Sequence, residues 1–179
     1  MTGFPCSPDI GLRKTFEVNV FAHFWTIKAF LPEMMAKNDG HIVNISSSTG
    51  IWGINKLSDY SASKSAVITF SECLNYEIAR SGRDAIHVTT VCPAHLKTRM
   101  FEKCAIGKAD KSALSGTKPL DLDHCVFGII DAILTNRKLV CLPKTVYIMM
   151  FCKTFLPMDA LYPVLHALGV TSFMDEYGV

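Results

Sequence analysis

The 179-residue sequence has no cysteine pair of the Cys-x-x-Cys type, although it contains seven cysteines. An odd number of scattered cysteines fits neither a disulfide framework nor a zinc site, so the sequence predicts small buried thiols in a reducing compartment. The sequence also lacks any run of like charges, since 18 basic and 16 acidic residues leave a net charge of +2. This pattern excludes the basic stripe that nucleic-acid binding requires.

Long hydrophobic runs are missing as well. The first residues show no basic segment followed by an apolar one, as a secretory signal would, and no uncharged apolar stretch is long enough for a spanning helix. Apolar residues are nevertheless abundant, with 49% hydrophobic residues, 19% charged residues and a mean hydropathy of +0.25. This length and composition predict one globular domain over residues 1–179, with a sizeable core.

The spacing of apolar residues predicts alternating helices and strands in the first half of the chain. We expect helices over 11–37 and 58–80, and strands over 41–46 and 85–91. The first helix is expected to kink at Pro32, and the second strand to end at Cys92-Pro93. Helix, strand, helix, strand is the order of a parallel α/β sheet.

The second half is less regular. A polar loop is expected over 97–119, a helix over 121–135 with Asp121 as its cap, and a short strand over 139–142. The tail over 145–174 is apolar, and Pro157 and Pro163 are expected to divide it into short helices.

One group of residues in the first half could carry chemistry. Tyr60 and Lys64 are four residues apart on the second helix, so their side chains share one face. Such a pair is weak evidence alone, and its simplest interpretation is a solvated helix face. However, Ser47 precedes Tyr60 by 13 residues and follows a predicted buried strand, where open α/β sheets place their ligands. The three side chains are therefore expected to converge on one crevice.

Several motifs resemble the short-chain dehydrogenase/reductase family in order and spacing. They are Phe16-Glu17-Val18-Asn19-Val20, Asn44-Ile45-Ser46-Ser47, Tyr60-Ser61-Ala62-Ser63-Lys64 and Cys92-Pro93. The segments 23–32 and 40–43 and the apolar tail are similar to the branch of retinol and 17-beta-hydroxysteroid dehydrogenases, above all the epidermal retinol dehydrogenases. The resemblance implies part of a Rossmann-like, doubly wound parallel sheet that lacks its first strands and carries a helical carboxyl-terminal tail.

The resemblance also implies a role for each matched residue. Tyr60 would be the acid or base at the alcohol or carbonyl oxygen, with its phenolate stabilised by the Lys64 ammonium and a positive nicotinamide ring. Ser47 would hold the substrate oxygen; Ser46 and Ser48 compete for this role, and spacing favours Ser47. Asn19 would complete a proton relay through a helix distortion and an ordered water, although an ordinary polar helix residue explains it equally well.

The implied cofactor is NAD or NADP. Tyr60 and Lys64 would contact its ribose and nicotinamide end, together with Pro93 and with Thr98, which would hold the carboxamide. Alanine follows Pro93 where the family usually has glycine, which puts the local backbone and the role of Thr98 in doubt.

The main departure from the family concerns the pyrophosphate site, because no Gly-x-x-x-Gly-x-Gly pattern occurs in this sequence. The chain begins where the family's fourth strand would just have ended, so we expect a truncated or pseudogene-like product. Without that neighbour, the strand before Ser47 is expected to expose an unpaired edge. The chain alone is then expected to bind dinucleotide poorly.

The resemblance also suggests partners. The substrate would be a small apolar alcohol such as a retinoid or steroid, and residues 95–179 would form a substrate lid and apolar helices.

The tail is open to three interpretations: core and lid, interfacial membrane attachment, or a dimer surface. Relatives lie on the endoplasmic reticulum or on lipid droplets, so the cytosolic face of these membranes is the expected location, or the cytoplasm if attachment needs a preceding anchor.

Three functions remain open from the sequence. The first is an oxidoreductase of this type. The second is a catalytically silent fragment that acts by association with a full-length relative, through a homo- or heterodimer formed by helices 11–37 and 58–80. A non-enzymatic protein that uses its tail on a membrane surface is the third.

Overall fold

The computed structural model describes residues 9–96 and 120–167, which form a parallel sheet flanked by helices. The helices are α1 (Asp9–Phe16), α2 (Ala22–Lys37), α3 (Ser58–Arg80), α4 (Leu122–Leu134), α5 (Thr145–Phe155) and α6 (Met158–Ala167). The strands are β1 (Gly40–Ile45), β2 (Ile86–Pro93) and β3 (Leu139–Leu142). The predicted parallel α/β arrangement is confirmed.

The first predicted helix is interrupted by a distortion rather than running as one regular α-helix. A π-helical segment, Glu17–Phe21, separates α1 from α2, and the amide of Ala22 donates to the carbonyl of Glu17, five residues earlier. Pro32 lies inside α2. Asn38 ends this helix in a left-handed conformation (φ 51°), and its amide donates to the Met34 carbonyl.

The three strands pair in the order β1-β2-β3, which leaves β1 at the edge of the described sheet. The amide of Ser46 donates to the carbonyl of Val91 (2.8 Å). Backbone groups alternate in direction along a strand, so the carbonyl of Ile45 points away from β2. Within residues 9–96 and 120–167 no strand pairs with that side of β1, in agreement with the open edge expected from the sequence.

Both faces of the sheet carry a core. Helices α2 and α3 cover one face, where the buried residues are Ile27, Leu74, Ile78, Ile86 and Val88. Helix α4 covers the other face, where the buried residues are Val91, Cys125, Ala132, Val140 and Leu142. Between α2 and β1, an open groove of about 380 Å³ is lined by Phe30, Met34, Ile42 and other residues.

Helix α3 and strand β3 have the predicted bounds, and Asp121 caps α4 by accepting a hydrogen bond from the amide of His124 (3.2 Å). Strand β2 runs two residues further than predicted, because Cys92 and Pro93 still pair with β3. Pro157 separates α5 from α6 as expected.

Three sequence expectations need comment. Pro163 does not divide the tail but lies inside α6, where it removes only the bond to the carbonyl four residues earlier while the neighbouring Leu161 stays buried. Cys92, Cys125 and Cys141 are buried as predicted, but Cys73 is exposed on α3 and Cys152 is half-buried, and Cys6 and Cys104 lie outside the described residues. The predicted loop over 97–119 lies outside the described residues.

Because of His41 on β1, we expect the stability of the fold to depend on pH. His41 Nε2 lies 2.8 Å from Thr89 Oγ1, which itself donates to the Arg137 carbonyl (2.7 Å), so Nε2 carries the proton that His41 donates. Burial, followed by the neighbouring His87, lowers the pKa of His41. A histidine pKa that is lower in the folded than in the unfolded chain stabilises the fold above about pH 6.5, and this contribution is lost as the pH falls.

We therefore expect the denaturant midpoint of unfolding to fall between about pH 7.5 and pH 5.5. His41→Gln should reduce this fall, because a glutamine amide can donate to Thr89 but does not titrate. The exposed His124 provides the matched control, and His124→Gln should leave the fall unchanged. An equal fall in wild type and His41→Gln would contradict the assignment.

Candidate active site

The segment after β1 lies directly against the backbone of α3. Ser47 caps the 3-10 turn Ser48–Gly50, and the hydroxyl of Ser46 donates to the backbone carbonyl of Lys64 (2.7 Å). A Cβ at Gly50 would lie 2.7 Å from the carbonyl carbon of Lys64, which is closer than any side chain allows. Glycine is therefore required at position 50 for the turn to approach the helix.

This approach brings together the three residues singled out from the sequence. Tyr60 and Lys64 are both partly buried on one face of α3, with Lys64 Nζ 5.7 Å from the centre of the Tyr60 ring. Ser47 lies close enough to Tyr60 for its hydroxyl to act on the pKa of the phenol. Lys64 Nζ also donates to the carbonyl of Ile45 at the end of β1 (3.1 Å). Ser47, Tyr60 and Lys64 thus form one cluster at the carboxyl end of the sheet.

The competing serines differ in what they contact. Ser46 is directed to the Lys64 carbonyl, whereas the Ser47 hydroxyl lies beside Tyr60 and donates to the Pro93 carbonyl (3.4 Å). Ser48 is buried at the start of the 3-10 turn. These contacts favour Ser47 over the other two as the serine that meets a substrate oxygen.

The electrostatics differ from those expected of an active phenolate. Burial raises the pKa of Tyr60, and the nearby Ser47 hydroxyl opposes this only in part. Burial likewise lowers the pKa of Lys64. The protein's own residues therefore keep Tyr60 protonated, because the cost of desolvating the phenolate exceeds the stabilisation that Ser47 supplies.

Asn19 lies in the π-helical segment Glu17–Phe21, and a helix distortion at this residue is what the family resemblance implied. Its Nδ2 donates to the hydroxyl of Ser63 (3.1 Å), which in turn donates to the backbone carbonyl of Tyr60 (2.7 Å). Asn19 thus joins the first helical segment to the turn of α3 that carries Tyr60. Ser63 is fully buried and was not singled out from the sequence, since a serine inside a run of small residues gives no signal of this contact.

Two further residues near the cluster were missed. His23, one turn beyond Asn19, has Nδ1 3.0 Å from Oδ1 of Asn44, and burial lowers its pKa. The four-residue spacing from Asn19 is the sequence signal that could have found it. Thr49 contacts Ser47 through both its amide and its hydroxyl, and nothing in the spacing indicates this. Thr98 lies outside the described residues.

A parallel sheet with a Ser-Tyr-Lys cluster at the carboxyl ends of its strands defines a dehydrogenase-type α/β fold. The family model for short chain dehydrogenases matches residues 6–108, more than half of the sequence. The chain therefore belongs to the short-chain dehydrogenase family.

Similar proteins with curated descriptions include retinol dehydrogenases. The chain is 42% identical to retinol dehydrogenase 10-A of Xenopus laevis and 41% identical to retinol dehydrogenase 10 of Homo sapiens. Each match extends over 170 residues, 95% of this chain but 49% of the relative. The chain thus spans about half the length of these relatives.

Solved structures of short-chain dehydrogenases share the fold. One from Burkholderia cenocepacia, in complex with NADP, has a TM-score of 0.73 at 20% identity. The match covers 90% of this chain and 62% of the Burkholderia chain. One from Streptomyces avermitilis has a TM-score of 0.68 at 25% identity and covers 92% and 63%, respectively.

The close approach at Gly50 can be tested directly. We expect Gly50→Ala to lower the free energy of unfolding by about 1–3 kcal/mol. The methyl group of the alanine would clash with backbone atoms of α3, which cannot move away by a side-chain rotation. Gly53→Ala is the matched control, since a Cβ at Gly53 has no atom within 4 Å and should change stability little. Denaturant titrations of both variants give the comparison, and equal stabilities would show that the turn does not depend on Gly50.

Proposed function

We propose that this chain is the catalytic half of an oxidoreductase that interconverts an apolar alcohol and its carbonyl with a nicotinamide cofactor. The observation that carries the proposal is the position of the Ser47 hydroxyl beside Tyr60, with Lys64 one helical turn away on the same face of α3. The group combines an oxygen acid, a hydrogen-bond donor and a cation at the end of parallel strands, which is where such folds bind ligands.

Each residue has a specific task in this proposal. Tyr60 Oη takes the proton of the substrate hydroxyl during oxidation and returns it during reduction. Ser47 donates a hydrogen bond to the same substrate oxygen and shares its developing charge. Lys64 favours the phenolate form of Tyr60 electrostatically, and Asn19 orients the relay by its bond to Ser63.

The cofactor is NAD or NADP, and a bound nicotinamide would exchange a hydride with the substrate carbon. The described residues fit its ribose and nicotinamide end. Lys64 has an ammonium at the mouth of the cluster that is bonded to a backbone carbonyl, and Pro93 closes the adjacent strand. A positive ring near Tyr60 would also counter the burial that keeps its phenol protonated.

A retinoid or steroid is the proposed substrate class. Two observations support it: the relatives at 41–42% identity are retinol dehydrogenases, and the helices after β3 are rich in exposed apolar residues. Within the predicted lid over 95–179, we propose that helices α5 and α6 cover the substrate side of the cluster.

A second candidate is a silent fragment that acts by association with a full-length relative. The open edge of β1 and the groove beside it favour this alternative, because both leave backbone and apolar groups without a covering element in the described sheet. The first helices also expose aromatic rings, among them Phe21, Trp25 and Phe30. A homo- or heterodimer through helices 11–37 and 58–80 would cover such rings.

We further propose a peripheral location at the cytosolic face of the endoplasmic reticulum or of lipid droplets. No helix within residues 9–96 and 120–167 has the length and hydropathy needed to cross a membrane. Helices α5 and α6 instead expose a row of apolar side chains, namely Ile148, Phe151, Phe155, Met158 and Tyr162. Such a surface is suited to the boundary between headgroups and acyl chains.

The membrane proposal predicts that Ile148→Asp/Phe155→Asp lowers binding of the chain to phosphatidylcholine vesicles by about tenfold or more in co-sedimentation, because both side chains are more than 60% exposed. The control is Tyr76→Asp, since Tyr76 is 69% exposed on α3, away from α5 and α6. An equal loss in the control would point to general solubility rather than to this surface.

The catalytic proposal predicts a saturable change of NADH or NADPH fluorescence on addition of the purified chain. Lys64→Ala should abolish the change, whereas Tyr60→Phe should preserve most of the binding but lower retinol oxidation at least a hundredfold, because only the proton-transferring hydroxyl is lost.

The two candidate functions give different results in this experiment. A folded chain that binds neither dinucleotide, but co-elutes with a full-length relative in size-exclusion chromatography, would support the silent fragment. Retinol oxidation that survives Tyr60→Phe would falsify the assigned role of Tyr60.

A further inference from the structure

We propose that Thr49 is a positioning residue that fixes the direction of the Ser47 hydroxyl, so that Ser47 donates its proton to a neighbouring oxygen and does not accept one. The catalytic meaning of this inference rests on the proposed function, but the hydrogen-bond arrangement does not. Thr49 lies outside every motif that identified the family, and its side chain contacts neither Tyr60 nor Lys64 through any described hydrogen bond.

The geometry is local to the turn after β1. The amide nitrogen of Thr49 lies 3.2 Å from Ser47 Oγ, and Thr49 Oγ1 lies 3.0 Å from the same atom. Both groups reach Ser47 because Ser47 caps the 3-10 turn, which brings the residue two positions later, Thr49, back towards the Ser47 side chain. Ser47 itself is buried, so water does not compete freely for its hydroxyl.

The direction of these bonds follows from counting protons and lone pairs. A hydroxyl has one proton and two lone pairs, and an amide can only donate. The Pro93 carbonyl, 3.4 Å from Ser47 Oγ, can only accept. Among the described residues, Ser47 Oγ is the acceptor that the Thr49 hydroxyl reaches. With Thr49 as the donor, every proton has an acceptor and both lone pairs of Ser47 are occupied.

Ser47 then has only its proton to offer. The Pro93 bond is long, so this proton is easily redirected to the oxygen of Tyr60 or of a substrate. A donated hydrogen bond stabilises negative charge on either oxygen, which is what Tyr60 needs where burial opposes its ionisation. Without the Thr49 hydroxyl, one lone pair of Ser47 would be free to accept the Tyr60 proton and to stabilise the neutral phenol instead.

The experiment measures the ionisation of residue 60 in the chain without cofactor. 3-Fluorotyrosine at position 60 gives one fluorine signal that reports the ionisation of its phenol, which is more acidic than the phenol of tyrosine. In Thr49→Val, which has the same shape but no hydroxyl, we expect the midpoint to move up by about half a pH unit or more. Thr49→Ser keeps the hydroxyl and should titrate as the wild type.

Two results would overturn the inference. One is a midpoint in Thr49→Val equal to that of the wild type. The other is an equal upward shift in Thr49→Val and Thr49→Ser, which would assign the effect to packing of the methyl group. Thermal unfolding of each variant verifies that the titrated chain is folded, and Thr49→Ala, which also lacks the hydroxyl, should show the same upward shift if Thr49→Val does not fold.

A kinetic measurement then tests whether the hydrogen bond from Thr49 to Ser47 affects catalysis. With dinucleotide and retinol, Thr49→Val should lower kcat about tenfold with little change in KM, and Thr49→Ser should restore it, because the hydroxyl acts on the reacting oxygen through Ser47. An inactive wild type together with the expected fluorine shift would reject the proposed function while leaving the hydrogen-bond arrangement intact.

Discussion

The candidate site depends on the contact between the segment Ser46–Gly50 and the backbone of α3 at Lys64. The Ser46 hydroxyl binds the Lys64 carbonyl, and Gly50 allows the turn to come within contact of the same peptide group. Since Ser47 lies between these two contacts, its distance from Tyr60 is set by backbone atoms rather than by flexible side chains. Preorganisation of this kind holds a donor in place before any ligand binds.

The same contact explains why burial dominates the electrostatics. Packing the turn onto α3 removes water from Tyr60 and Lys64, which favours the neutral form of each. Charge at this site therefore depends on the few polar groups aimed at it, above all on Ser47. In such an environment the orientation of a single hydroxyl has a larger effect than it would have in water.

Sequence patterns predicted the fold where one local signal was strong. Helix α3 ends just before Ser81-Gly82, and β3 is a run of four apolar residues between Lys138 and Pro143; both elements have the predicted bounds. Signals failed where packing decided the outcome. Pro163 is a helix breaker by propensity but is tolerated inside α6, and the end of β2 is set by pairing with a strand nearly fifty residues later.

For the site, spacing predicted which residues meet but not how they bond. Ser47, Tyr60 and Lys64 converge as expected from one turn of helix and one end of a strand. The bonds from Asn19 to Ser63 and from Thr49 to Ser47 depend on side-chain direction, for which periodicity holds no information. The balance of burial against hydrogen bonding at Tyr60 is likewise a property of the packed structure.

The bond between Lys64 and the Ile45 carbonyl gives the open edge of β1 an energetic connection to the site. That carbonyl points away from β2, towards the side where a further strand would pair, and it already has the lysine ammonium as its donor. An amide from an added strand that takes the place of the ammonium on this oxygen releases Lys64, and a ligand that attracts Lys64 leaves the oxygen to such an amide. By thermodynamic reciprocity, each of these two binding events increases the affinity for the other by the same factor.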